Sequence, residues 1–137
     1  MPIGDWRVAC SNLAAIWSAE NRYRIWFEIE AHAADALADA FPKIFGEDYA
    51  VHLAAEAQVA WAKYAIDPHE SAGHSEEEAA AESREHFKEA GKLFERLATL
   101  RFATRDYPED VWTSAKNYLL GGDYANAARQ FRKYLEI

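Results

Sequence analysis

A chain of 137 residues with a formal charge of −8 is long enough to bury one hydrophobic core and too acidic to bind nucleic acid, because phosphate-backbone affinity comes from Lys and Arg. Half of the residues are apolar, with five Trp, seven Tyr and seven Phe, a payload that excludes a disordered chain. No run approaches the ~18 consecutive apolar residues of a membrane span, the single Cys10 cannot close an internal disulfide, and the N-terminus lacks the layout of a secretory signal, so a cytoplasmic single domain over 1–137 with no membrane contact is expected.

Alanine is abundant, Val and Thr are scarce, and only four Pro and six Gly interrupt the chain, a balance that favours helix over strand. The first predicted helix covers 5–17, where Trp6, Val8, Leu13, Ile16 and Trp17 approach helical spacing. The second covers 19–41, with Trp26, Ile29, Ala33, Leu37 and Ala40 at steps of three or four, and Pro42 ends it. The third runs over 47–66, its apolar stripe drawn through Tyr49, Leu53, Val59, Ala60 and Tyr64, and Asp67-Pro68 stops it. A loop over 67–74 leads to Ser75 and Glu78, the two ends of a capping box, so the fourth helix starts there and is predicted to continue to 104 with Phe87, Ala90, Phe94, Leu97 and Ala98 on one side. Asp106 with Pro108 marks the start of the fifth, Gly121-Gly122 breaks it, and Asp123 caps a sixth over 124–136. The expected architecture is all-α: about six helices in an antiparallel bundle or helical-hairpin stack, since short links make successive helices antiparallel neighbours.

Ala115, Tyr118, Gly122, Tyr124, Ala127, Phe131 and Tyr134 resemble the second half of the tetratricopeptide signature, in which small residues let two helices approach and aromatics fill the gap between them. The resemblance covers 108–137. One repeat length of about 34 residues upstream of Ala127 and Phe131 stand Leu93 and Leu97, so no second copy follows in register, and the upstream helices must supply the surface a lone repeat needs. Residues 14–40 (AAIWSAENRYRIWFEIEAHAADALADA) resemble the N-terminal helical segment of bacterial adenylosuccinate lyases. Where that family carries an Arg-Tyr-Ser motif this chain reads Val8-Ala9-Cys10-Ser11, and the family's serine-containing loop and catalytic histidine segments have no counterpart, so no lyase activity is expected. The meeting of two such fragments points to a chimeric, designed or computer-generated sequence, for which no native ligand would be expected.

The histidines carry no metal-binding pattern. His69 and His74 flank H-E-S-A-G-H, one residue longer than the zinc-protease motif, and Glu28 with His32, His52 with Glu56, and Glu82 with His86 are four apart rather than the three of di-metal bundles. No Gly-rich phosphate loop and no nucleophile-bearing motif are present, so no catalytic, cofactor or metal residue is expected. Arg84, Lys88, Lys92 and Arg96 recur every four residues along the fourth helix; the stripe is either a solvated face paired with Glu85, Glu89 and Glu95 or a seat for an anionic partner. In the tetratricopeptide family the first helix of a hairpin faces bound extended peptides, and the resemblance implies that Glu109, Trp112, Lys116 and Leu119 or Leu120 would do so here, with Trp112 either core or contact. The leading expectation is therefore a noncatalytic module that binds a peptide or protein, and the apolar terminus from Tyr134 to Ile137 can close the core or seal a homodimer.

Overall fold

The computed structural model describes residues 46–66 and 75–137. The two helices expected before Pro42, the lyase-like segment, Cys10, and the loop with His69 and His74 lie outside the described residues. Within them are four helices and no strand: α1 Glu47–Ala65, α2 Glu76–Leu100, α3 Tyr107–Leu120 and α4 Tyr124–Leu135. None is long and apolar enough to cross a membrane.

Local chemistry sets the ends. Ser75 sits in an extended conformation and its Oγ accepts from the Glu78 amide at 3.1 Å, which starts α2. That helix stops at Leu100, short of the expected 104, because the chain turns at Ala103, whose φ of 69° is left-handed. Thr104 braces the turn: its Oγ1 donates to the Arg101 carbonyl at 2.8 Å and accepts from the Asp106 amide at 3.3 Å. Asp106 does not cap α3 with its side chain, contrary to the sequence expectation; it already lies at helical angles, and Pro108 enters the first turn. At the far end of α3 the Gly122 amide donates to the Leu119 carbonyl (3.0 Å) and the Asp123 amide to that of Tyr118 (2.9 Å), with Gly122 left-handed at φ 78°. This Schellman closure hands the chain directly to α4, whose cap Asp123 accepts from the Asn126 amide at 3.2 Å.

Each helix packs antiparallel on the next. Between α1 and α2, Arg96 Nη2 donates to Glu47 Oε1 (2.9 Å) at one end, and Ser83 Oγ donates to the Ala62 carbonyl (2.8 Å) at the other. The core of this pair is Ala50, Val51 and Ala55 against Ala90, Phe94 and Leu97. The buried face of α1 therefore runs through its alanines and not through the stripe drawn from bulk; Tyr49 is exposed, while Leu53 and Val59 pack at the margin. Alanine on that face lets the α2 backbone come close, so the large side chains of α2 supply the volume.

The α2–α3 contact is closer still. A Cβ on Gly91 would lie 2.8 Å from Tyr118 Cγ, and one on Gly121 would lie 2.6 Å from the Lys88 amide nitrogen. Ser114 Oγ donates to the Gly91 carbonyl at 2.8 Å and accepts from Gln130 Nε2 at 3.3 Å, so one buried hydroxyl joins α2, α3 and α4. On the outside of this junction Tyr118 Oη (2.7 Å) and Arg129 Nη2 (2.8 Å) both donate to Glu95 Oε1.

Candidate protein-interaction face

Burial on α3 selects the candidate face by elimination. Val111, Ala115 and Tyr118 turn inward with Asp110, Ser114 and Asn117, which commits one side of the helix to α2 and the interior. The 3.6-residue period leaves Trp112, Lys116 and Leu119 together on the other side, at steps of four and three. Trp112 is 41% exposed and Leu119 46%, and Leu120 beside them is more open. The indole is fixed rather than free. Its ring lies 5.3 Å from that of Phe131 and 5.2 Å from that of Tyr134, tilted by 69° and 52°, so α4 holds one edge while the other meets solvent.

Two opposite charges frame the indole. Glu109 and Lys116 stand three residues before and four after Trp112, both are exposed, and neither makes an ion pair among the described residues. Two helical turns, about 10.5 Å of rise, keep them from pairing with each other. Tyr124, Phe131 and Leu135 extend the apolar surface along α4, with Leu135 81% exposed.

The cations of α2 do not form one free face. Arg96 bonds Glu47 on α1, the Lys92 ammonium lies 3.7 Å from Glu89, and Lys88 has its backbone against Gly121. Arg84 is exposed, near Gly122. The capped turn at Asp123 answers their charge: hydrogen bonds from Asn126 lower its carboxyl pKa against a smaller desolvation effect, with Lys88 and Lys92 adding to the lowering.

A polar junction that sequence spacing does not reveal surrounds Arg101, where the end of α2 meets the starts of α1 and α3. Its guanidinium lies 3.7 Å from Asp110 Oδ1 and 3.8 Å from Asp48 Oδ2, and its Nη2 donates to His52 Nδ1 at 3.1 Å. That donation leaves the proton on His52 Nε2, which donates to Glu56 at 3.2 Å. Burial raises the Asp110 carboxyl pKa more than the Arg101 charge lowers it, and Asp110 Oδ2 is buried without a hydrogen-bond partner. With a permanent cation at its centre, the junction clamps three helices together. Near the opposite end of α1, His86 donates from Nδ1 to Gln58 at 2.7 Å, edges against Trp61 at 5.8 Å and approaches Glu82 at 3.8 Å; burial lowers its pKa despite the nearby carboxylates.

No family model, curated protein or solved structure matches the chain. Among the described residues no group of three or more His, Cys, Asp or Glu side chains is placed to hold a metal ion, and the His52–Glu56 and His86–Glu82 pairs are helix-surface neighbours with structural partners.

Proposed function

We propose that the chain is a noncatalytic helical interaction module, tetratricopeptide-like at its C-terminal end, that binds a peptide or protein across the outer face of α3. The observation that carries the reading is Trp112, half exposed yet braced by Phe131 and Tyr134, with Lys116 and Leu119 on the same face. A large ring that is already immobilised loses little conformational entropy on binding, which is why aromatic anchors dominate interaction energies. The repeat-like reading is supported by the α3–α4 hairpin, in which Ala115, Tyr118 and Ala127 are buried between helices joined by the Gly121-Gly122-Asp123 turn. The same surface would serve an extended peptide or a helix, both of which use apolar anchors at regular spacing.

Selection of a displayed random-peptide library on the immobilised chain, followed by affinity measurement on the enriched peptides, tests the proposal. Trp112→Ala is expected to weaken them about thirtyfold, the effect of losing a hot-spot aromatic, while circular dichroism keeps its helical signature. Enriched peptides that bind Trp112→Ala as tightly as the parent chain, or a monomeric chain on which the library yields none, would reject the face.

A further inference from the structure

We propose that the partner on this face is a second copy of the chain, paired through α3 in antiparallel orientation about a two-fold axis beside Trp112. The inference rests on the reading of the Trp112 face as an interaction surface and adds the identity of the occupant. A two-fold interface requires a patch complementary to itself. The α3 face meets that requirement, because Glu109 and Lys116 bracket Trp112 with opposite signs and their midpoint falls next to it. When two such helices cross antiparallel at that midpoint, Glu109 of each copy lies opposite Lys116 of the other, and the two indoles meet near the axis. Neither charge has an ion-pair partner among the described residues, so pairing breaks no existing bridge.

Area points the same way. At ~200 Å² for each large aromatic, the exposed fractions of Trp112, Tyr124 and Tyr134 amount to roughly 300 Å², to which exposed Leu119 and Leu135 add. With the flanking polar side chains that approaches the ~800 Å² per partner of a standard stable interface. A short extended peptide laid along the Trp112 face of α3 would leave Tyr124 and Leu135 of α4 in water, whereas a second copy is large enough to span both helices.

Sedimentation equilibrium of the full chain across a wide concentration range is the test. The parent chain is expected at twice its 15.5 kDa mass. Glu109→Lys and Lys116→Glu, both at exposed positions, are each expected to dimerise at least about tenfold more weakly, since each sets like charges across both symmetry-related contacts. An equimolar mixture of the two variants is expected to recover the dimer, because every contact in the mixed pair is again of opposite sign. A parent chain that stays monomeric throughout, variants that self-associate as tightly as it does, or a mixture that remains monomeric would overturn the proposal. A monomeric parent that still captures selected peptides through Trp112 removes the second copy and leaves the binding function standing; a monomer that captures none removes both.

Discussion

Replacing Gly121 with alanine isolates the close approach of α3 to α2. The residue has φ −80° and ψ −2°, angles any L-residue adopts, so the backbone sets no objection to a side chain. In an uncrowded site of this kind Gly→Ala stabilises by about 0.4–1 kcal/mol, because it narrows the unfolded ensemble. Here the new methyl would lie 2.6 Å from the Lys88 amide nitrogen, 2.8 Å from its Cα and 2.8 Å from its Cβ. The first two are α2 backbone atoms and cannot rotate aside, so the helices must separate. Overpacking of this kind costs about 1–3 kcal/mol, and the net loss of about 1–2 kcal/mol that remains lowers Tm by roughly 3–10 °C. Gly122→Ala is the control: its φ of 78° imposes a strain of about 1 kcal/mol, but its Cβ would meet only the Arg84 side chain, at 3.7 Å. Thermal melts followed by circular dichroism should rank the parent chain above Gly122→Ala and Gly122→Ala above Gly121→Ala. A Gly121→Ala variant as stable as the parent, or more so, would refute the close packing.

Gly91→Ala brings a methyl to 2.8 and 2.9 Å from Tyr118 ring atoms and 3.0 Å from its backbone nitrogen, so it should cost about 1–3 kcal/mol in urea denaturation and displace the Tyr118 hydroxyl from Glu95. Ala103→Gly removes a left-handed alanine and should raise the unfolding free energy by about 1 kcal/mol on the same assay. For Glu95, burial raises the carboxyl pKa but hydrogen bonds from Arg129 and Tyr118 outweigh it and leave it lowered, so its contribution is present above the unfolded-state pKa and lost as pH falls through the folded one. Glu95→Gln should therefore lose about 1–2 kcal/mol at neutral pH, and the gap between it and the parent should close on acidification below pH ~4.

The four described helices were legible because their boundaries are written in local chemistry. Ser75 and Asp123 cap, and Gly121-Gly122 breaks, where those residue types act through contacts within a few positions. The end of α2 was not legible, since the turn there rests on a left-handed alanine and no glycine marks it. The core face of α1 was misplaced because periodicity weighs bulk, whereas a close helix pair buries alanine and leaves Tyr49 outside. On the candidate face, Trp112, Lys116 and Leu119 were singled out by the tetratricopeptide resemblance, and helical spacing accounts for their sharing one side of α3. The α2 row of cations spreads around the helix, because steps of four residues advance about 40° each; by Arg96 it has swung to Glu47 on α1. The Arg101 junction and the Glu95–Tyr118–Arg129 bridge lay out of reach, as each joins groups that are neighbours only after the helices pack.

Whether α3 presents a working recognition surface is decided most directly by nuclear magnetic resonance of the isotope-labelled chain as a selected binder is titrated in. The Trp112 indole and the amides around Lys116 and Leu119 are expected to shift first and furthest, with the α1–α2 core undisturbed. Shifts confined to the Arg84–Lys88 side of α2, or a Trp112 signal that never moves at saturation, would contradict it.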